Sequence, residues 1–125
     1  MIILDSNIWI AYLNKNDNQH NKAVSFFDKI KENILITEYI ILEVATVLSM
    51  RIDKKTADSF IDFVTNNQDI EVMSSSDEFF KKTLDFFLKY KNGNLSFVDV
   101  SLLMLSKKFQ VFTFDRNLER EIVKF

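Results

Sequence analysis

Four carboxylates sit where the chain can least solvate them. Asp5 closes the apolar run "MIIL", Glu43 interrupts "EYIILEVATVL", Asp99 stands inside "LSFVDVSLLML", and Asp115 follows "QVFTF". An unpaired carboxylate in a dry site is expensive, and several together repel one another strongly. A cation would compensate them. The chain has no cysteine and one histidine, so oxygen ligands dominate and select a hard ion, Mg²⁺ or Mn²⁺, over zinc. One or two such ions held by carboxylates suit phosphodiester hydrolysis, because they lower the pKa of a water and stabilise an in-line displacement.

Each acid also has a structural role open to it. Asp5 can cap a helix over residues 6–13, and Asp115 can cap "RNLERE". Ser96 and Asp99 have the spacing of a capping box. Glu43 can pair with Arg51 or Lys54. On a helical wheel it falls on the side of Tyr39, Val47 and Met50, with Glu38, Ala45 and Ser49 turned outward.

The elements that must position these acids are marked by periodicity and by asparagine. With no proline and one glycine, the stretches "LNKNDNQHN", "TNNQD" and "KNGN" supply the loop signals, since Asn tolerates left-handed backbone. Strands are expected at "MIIL", "ILIT", "IEVM" and "QVFTF". Helices are expected after Asp5, over 19–31, through the Glu43 segment and after Asp53. Two more run from a Ser75–Glu78 capping box to about Tyr90 and from Ser96 to Lys108. The alternation predicts a single α/β domain over 1–125, a three-layer sandwich with a mainly parallel sheet covered by helices on both faces. Sites in that architecture form beyond the carboxyl ends of the strands, where Asp5 and Asp115 both fall.

Composition narrows the class. Hydrophobic residues at 47% and charged residues at 27% describe an ordinary globular chain. Sixteen basic against eighteen acidic residues leave a net charge of −2, so no basic excess announces a broad nucleic-acid surface, although a local groove stays open. Without cysteine there are no disulfides, thiolate nucleophiles or Cys-based zinc sites. The opening residues lack the basic leader of a signal peptide, and no run has the length of a membrane span. A cytoplasmic chain without a membrane segment is the expectation.

The order of Asp5 in "ILDSNIWI", Glu43 in "TEYIILEVATVL", Asp99 in "LSFVDVSLL" and Asp115 in "TFDRNL" resembles the PIN domain, and more narrowly the VapC-type toxins of toxin–antitoxin pairs. The likeness runs across essentially the whole chain and includes "NQHNKA", similar to the opening of that family's second helix. It implies a parallel sheet between helices and a Mg²⁺- or Mn²⁺-dependent endoribonuclease. By the same likeness Asp5, Glu43 and Asp99 are the core catalytic and metal-binding acids, and Asp115 is the more variable fourth. Thr113 matches a polar residue that orients this corner, with Ser6 and Asn7 in support. The implied partners are an RNA substrate and a cognate antitoxin. The chain departs from the pattern after Asp115, where "NLEREIVKF" leaves the final strand of the family short or absent.

Basic residues that could meet RNA are Arg51, Lys54, Lys55, Lys107, Lys108 and Arg116, with Arg116 and Lys107 taken as the substrate-binding candidates. His20 could act as an acid or base, and Trp9 could stack on a base or pack in the core. The helix "SDEFFKKTLDFFLKYK" carries apolar residues around more than half its circumference, wider than one sheet face requires. The surplus suits a homodimer or an antitoxin segment, or a helix wedged between neighbours. Two alternatives stand beside the nuclease: a catalytically silent PIN module that binds RNA or a protein, and a phosphoacceptor receiver domain. The receiver needs paired acids after the first strand, a phosphorylatable Asp after the third and a Lys after the last; Asp5 is a lone acid, and no Asp directly follows "IEVM". A haloacid-dehalogenase-like phosphatase needs a second Asp where Asn7 stands.

Overall fold

Four short strands, β1 (Ile2–Leu4), β2 (Ile34–Thr37), β3 (Ile70–Met73) and β4 (Gln110–Phe112), form the sheet of the computed structural model, which describes residues 1–125. Between and after them lie α1 (Ser6–Leu13), α2 (His20–Lys29), α3 (Glu38–Arg51), α4 (Lys54–Asn66), α5 (Asp77–Lys89), α6 (Phe97–Leu105) and α7 (Arg116–Lys124). The strand order is β3-β2-β1-β4, and every pairing is parallel. Parallel crossovers are right-handed. Going from β1 through β2 to β3 therefore lays α1–α4 on one face, and the return from β3 to β4 lays α5 and α6 on the other. The helices pack against each other in those two sets, with α7 against α6. The three-layer α/β sandwich expected from the alternation is the observed fold.

The central strands explain their own composition. β1 and β2 are buried along their whole length, as an interior parallel strand must be, whereas β3 and β4 are partly open. Ile8, Ile40, Val44, Leu48, Phe60, Leu102 and Leu118 close on the sheet from the helices. Each such side chain contributes roughly 1.5–3 kcal/mol when fully buried. Trp9 belongs to this core. Its ring meets Phe27 and Phe60 edge-on at 5.3 and 5.8 Å, so it cannot stack on a base. No helix is long and apolar enough to cross a membrane.

Several boundaries differ from expectation, each for a local reason. The fourth strand stops at Phe112, because Thr113 to Asp115 turn into the start of α7. The chain then continues as helix, and no fifth strand forms. The N-cap of α5 is Ser76, which accepts from the Phe79 amide at 3.0 Å. Ser75 is drawn away by Tyr39 Oη at 2.7 Å and by Glu38, which accepts from its amide at 3.0 Å, so the Ser75–Glu78 box is not made. In α3 the core stripe is Ile40, Val44 and Leu48. Met50 is exposed and Ala45 packs inward, which reverses their expected sides, while Glu43 stays with Tyr39 and Val47 on the half-buried flank of the helix.

Candidate active site

The chain moves from β1 to one side of the sheet and returns to β4 on the other, so the strand order reverses between β1 and β4. In an open parallel sheet such a reversal opens a crevice beyond the carboxyl ends of those strands. Leu4 is in register with Phe112, and the Asp5 amide donates to the Phe112 carbonyl at 2.9 Å. The residues that follow, Asp5 and Thr113, therefore meet across the crevice.

Asp5 is 3% exposed and held from both sides. Its Oδ1 accepts from the Ser6 amide at 2.7 Å and the Ser6 hydroxyl at 3.4 Å. Its Oδ2 accepts from the Thr113 hydroxyl at 2.7 Å and the Asn7 amide group at 3.4 Å. Asn7 spans the crevice: its Nδ2 lies 3.2 Å from Thr113 Oγ1, and its Oδ1 accepts from the Phe114 amide at 3.1 Å. Thr113 Oγ1 in turn accepts from the Asp115 amide at 3.0 Å. Ser6, Asn7 and Thr113 thus tie the turn after β1 to the turn after β4.

The electrostatics link the four acids. The Asp5 carboxyl is pushed from 3.8 up to about 6, chiefly by burial and to a lesser degree by the charges of Asp99 and Glu43, against the hydrogen bonds from Thr113 and Ser6. The Asp99 carboxyl is also lifted, mainly by burial, with hydrogen bonds from Ser96 opposing and the charge of Asp115 adding. Each acid therefore lies in the field of at least one other.

The capping roles are made as well. Ser96 and Asp99 form a reciprocal capping box, with both bonds at 3.1 Å. Asp115 caps α7, accepting from the Asn117 amide at 2.8 Å and the Leu118 amide at 3.4 Å. Capping does not take these acids out of one another's influence: Asp5 and Asp99 serve helix starts and still lie in the field of another acid. Helices α1, α3 and α7 start directly beyond strand ends, and α6 joins them, so positive helix termini gather at the edge where the acids stand. Glu43 lies farther along α3, in a groove of about 370 Å³ shared with Tyr39, Leu42, Thr46, Val47, Phe97 and Val98. It makes no ion pair with Arg51 or Lys54; Lys54 binds Asp58 on its own helix.

The donor set is all hard oxygen, and a cation would relieve both the burial of Asp5 and the mutual repulsion. In chemistry and in field the four acids fit a divalent ion. As they stand, no three of them lie at the spacing of one coordination shell.

The candidate cations divide. Arg116, exposed beside Asp115, opens α7 at the acidic edge. Lys107 does not belong to this site. It precedes β4, at the end of the strand opposite Thr113, and it donates to the Phe125 carbonyl at 2.6 Å while lying 4.3 Å from the Phe125 ring centroid. His20 bonds the Ala11 carbonyl through Nδ1 at 2.8 Å, which joins α2 to α1. Sequence reasoning missed Asn117, whose backbone amide holds Asp115 and whose side chain donates to the Gly93 carbonyl. The spacing Asp115-x-Asn117 is an Asx-turn signal that could have found it. Gly93 and Asn94 both take positive φ in that loop, and a Cβ at Gly93 would collide with Glu121.

The model of the PIN domain family matches residues 2–121. Among solved structures, the chain is similar to VapC20 of Mycobacterium tuberculosis, a sarcin–ricin loop cleaving toxin, with a TM-score of 0.86 at 20% identity over 96% of this chain and 94% of that one. No curated protein matches the sequence.

Proposed function

The chain belongs to the PIN-domain family, and on that premise we propose that it is a metal-dependent endoribonuclease, the toxin of a cytoplasmic toxin–antitoxin pair, acting as a single domain over 1–125. The observation that carries the reading is Asp5, buried at the switch point with its carboxyl raised to about 6 in the field of Glu43 and Asp99. A hard divalent ion, Mg²⁺ or Mn²⁺, would supply the activation of a water and the neutralisation of phosphodiester charge. Asp5, Glu43, Asp99 and Asp115 would hold it. Thr113 and Asn7 hold one Asp5 oxygen at the crevice, Ser6 fixes the other, and Arg116 offers a cation to the RNA beside Asp115. The likeness to a toxin that cleaves the sarcin–ricin loop favours a structured RNA as substrate.

The test is incubation of an RNA hairpin with purified protein and Mg²⁺. Cleavage that stops in EDTA and returns with Mg²⁺ or Mn²⁺ is expected. Tight RNA binding without cleavage under any of these ions would favour the silent PIN module. The receiver-domain alternative lapses with the family assignment.

The partner reading rests on α5, of which only Thr83 is buried. Phe80, Leu84, Phe87 and Leu88 are 42, 42, 39 and 69% exposed. Phe97 joins this surface to the Glu43 groove, its ring 6.1 Å from Phe80, 5.5 Å from Phe87 and 5.9 Å from Tyr39. A contiguous apolar surface of this kind suits a homodimer or an antitoxin segment. Sedimentation of the purified chain should give a dimer, and Phe87→Asp with Leu88→Asp should yield a folded monomer. A wild-type protein that stays monomeric and also ignores its antitoxin would remove α5 as an interface.

A further inference from the structure

An RNA must approach an edge that carries four acids, on a protein whose net charge is −2. Six of the thirteen lysines are already engaged. Lys54, Lys81, Lys82, Lys89 and Lys124 are paired with acids on their own helices, and Lys107 is docked on Phe125 at the far end of β4. Lys22 differs. It is exposed, forms no ion pair, and its ammonium lies 4.5 Å from the centroid of the Phe114 ring. Phe114 is part of the site's own framework: its amide donates to Asn7 Oδ1 at 3.1 Å, and Asn7 in turn reaches Asp5 and Thr113. A half-buried ring, carried by the residue between Thr113 and Asp115, thus holds an ammonium that has no carboxylate partner.

We infer that Lys22, positioned by Phe114, is a binding site for a backbone phosphate of the RNA next to the scissile bond. A cation held over an aromatic face keeps its remaining N–H groups for a further acceptor. A polyanion is the complementary ligand at an otherwise acidic rim. The inference rests on the ribonuclease reading above and deepens it by naming where the substrate backbone is gripped.

The experiment measures binding of a fluorescent RNA hairpin in EDTA across a salt series, and steady-state cleavage of the same hairpin in Mg²⁺. Lys22→Gln should weaken binding several-fold and lower the slope of log affinity against log salt by roughly 0.7–0.9, the signature of one lost phosphate contact. It should raise KM more than it lowers kcat, and Lys22→Arg should restore both. Phe114→Leu keeps the charge and removes its support, so affinity should fall while the slope stays. If the wild type cuts RNA and Lys22→Gln changes neither slope nor KM, Lys22 is a surface contact only and the site is refuted. If the wild type neither binds nor cuts RNA, the ribonuclease reading fails and takes this site with it. Binding without cleavage leaves the salt slope to decide the site by itself.

Discussion

Asp5→Asn is expected to abolish RNA cleavage while leaving the protein folded and, without metal, more stable at neutral pH. Asparagine keeps the size of the side chain and one carbonyl ligand. It removes the charge at the centre of the acidic set, so the expected loss is about a thousandfold or more, the upper range for removing one preorganised stabilising group. The stability effect follows from linkage. Asp5 titrates at about 6 in the fold against 3.8 for an unperturbed Asp. Below 3.8 both states carry the proton and the group costs nothing. As the pH rises from 3.8 to about 6 the unfolded chain loses its proton first, so wild-type stability in EDTA falls, then levels off. The full effect is ~3 kcal/mol. Asparagine removes that penalty but weakens the bonds from Thr113 and Ser6 by ~1–2 kcal/mol, leaving a net gain of ~1–2 kcal/mol at pH 7. Asp99, lifted in the same direction, keeps a smaller slope in the mutant. Melting in EDTA from pH 3.5 to 7.5 reads all of this. Undiminished cleavage would remove Asp5 from the mechanism, and a mutant melting far below wild type at pH 7 would make helix capping its main role.

Thr113→Val should be the most damaging change among residues that bear no charge. Valine has nearly the same shape but removes the donor 2.7 Å from Asp5, the acceptor 3.0 Å from the Asp115 amide and the partner of Asn7. A hydrogen bond to a charged, buried group contributes about 1.5–3 kcal/mol, so the variant should lose ~2–3 kcal/mol at pH 7. The loss should shrink below pH 4, where Asp5 is protonated in both states. The Thr113 bond holds the Asp5 carboxyl down, so in the variant its titration should move above 6 and protons should compete better with the ion. Cleavage near pH 7 is expected to fall roughly 10–100-fold and to need more Mg²⁺ for half its maximum, with partial recovery at higher pH, since about 1.4–2.7 kcal/mol separates those rates. Thr113→Ser should restore most of it. An unchanged Mg²⁺ requirement in Thr113→Val would mean that Thr113 only supports the turn after β4.

The sequence by itself determined the elements and the chemistry available to them. Short apolar runs that suit buried strands, and polar caps ahead of apolar helices, are local signals, and β1, β2, β3 and α4 follow them closely, whereas α6 stops at Leu105, short of the expected Lys108. The exclusion of thiol chemistry and the preference for hard-oxygen ligands are also local facts of composition. The four acids stood out because each breaks an apolar segment, and the resemblance they carry named the family that the whole-chain match shows. What only the tertiary structure decided are the relations between segments remote in the chain. The order β3-β2-β1-β4 puts Asp5 beside Thr113, more than a hundred residues away, and so creates the crevice. It also leaves Lys107 at the end of β4 far from Thr113 and lets Lys22 rest on the Phe114 ring, which charge counting could not separate. The wheel misplaced Met50 and Ala45 because a helix packed on both a sheet and another helix buries two stripes, and a single-helix periodicity sees only one. Capping and catalysis were set against each other along the sequence. In the fold capping does not exclude the metal-binding role proposed for these acids, because parallel strands feed helix N-termini into one edge, where Asp5 and Asp99 serve helix starts and still lie in the field of another acid.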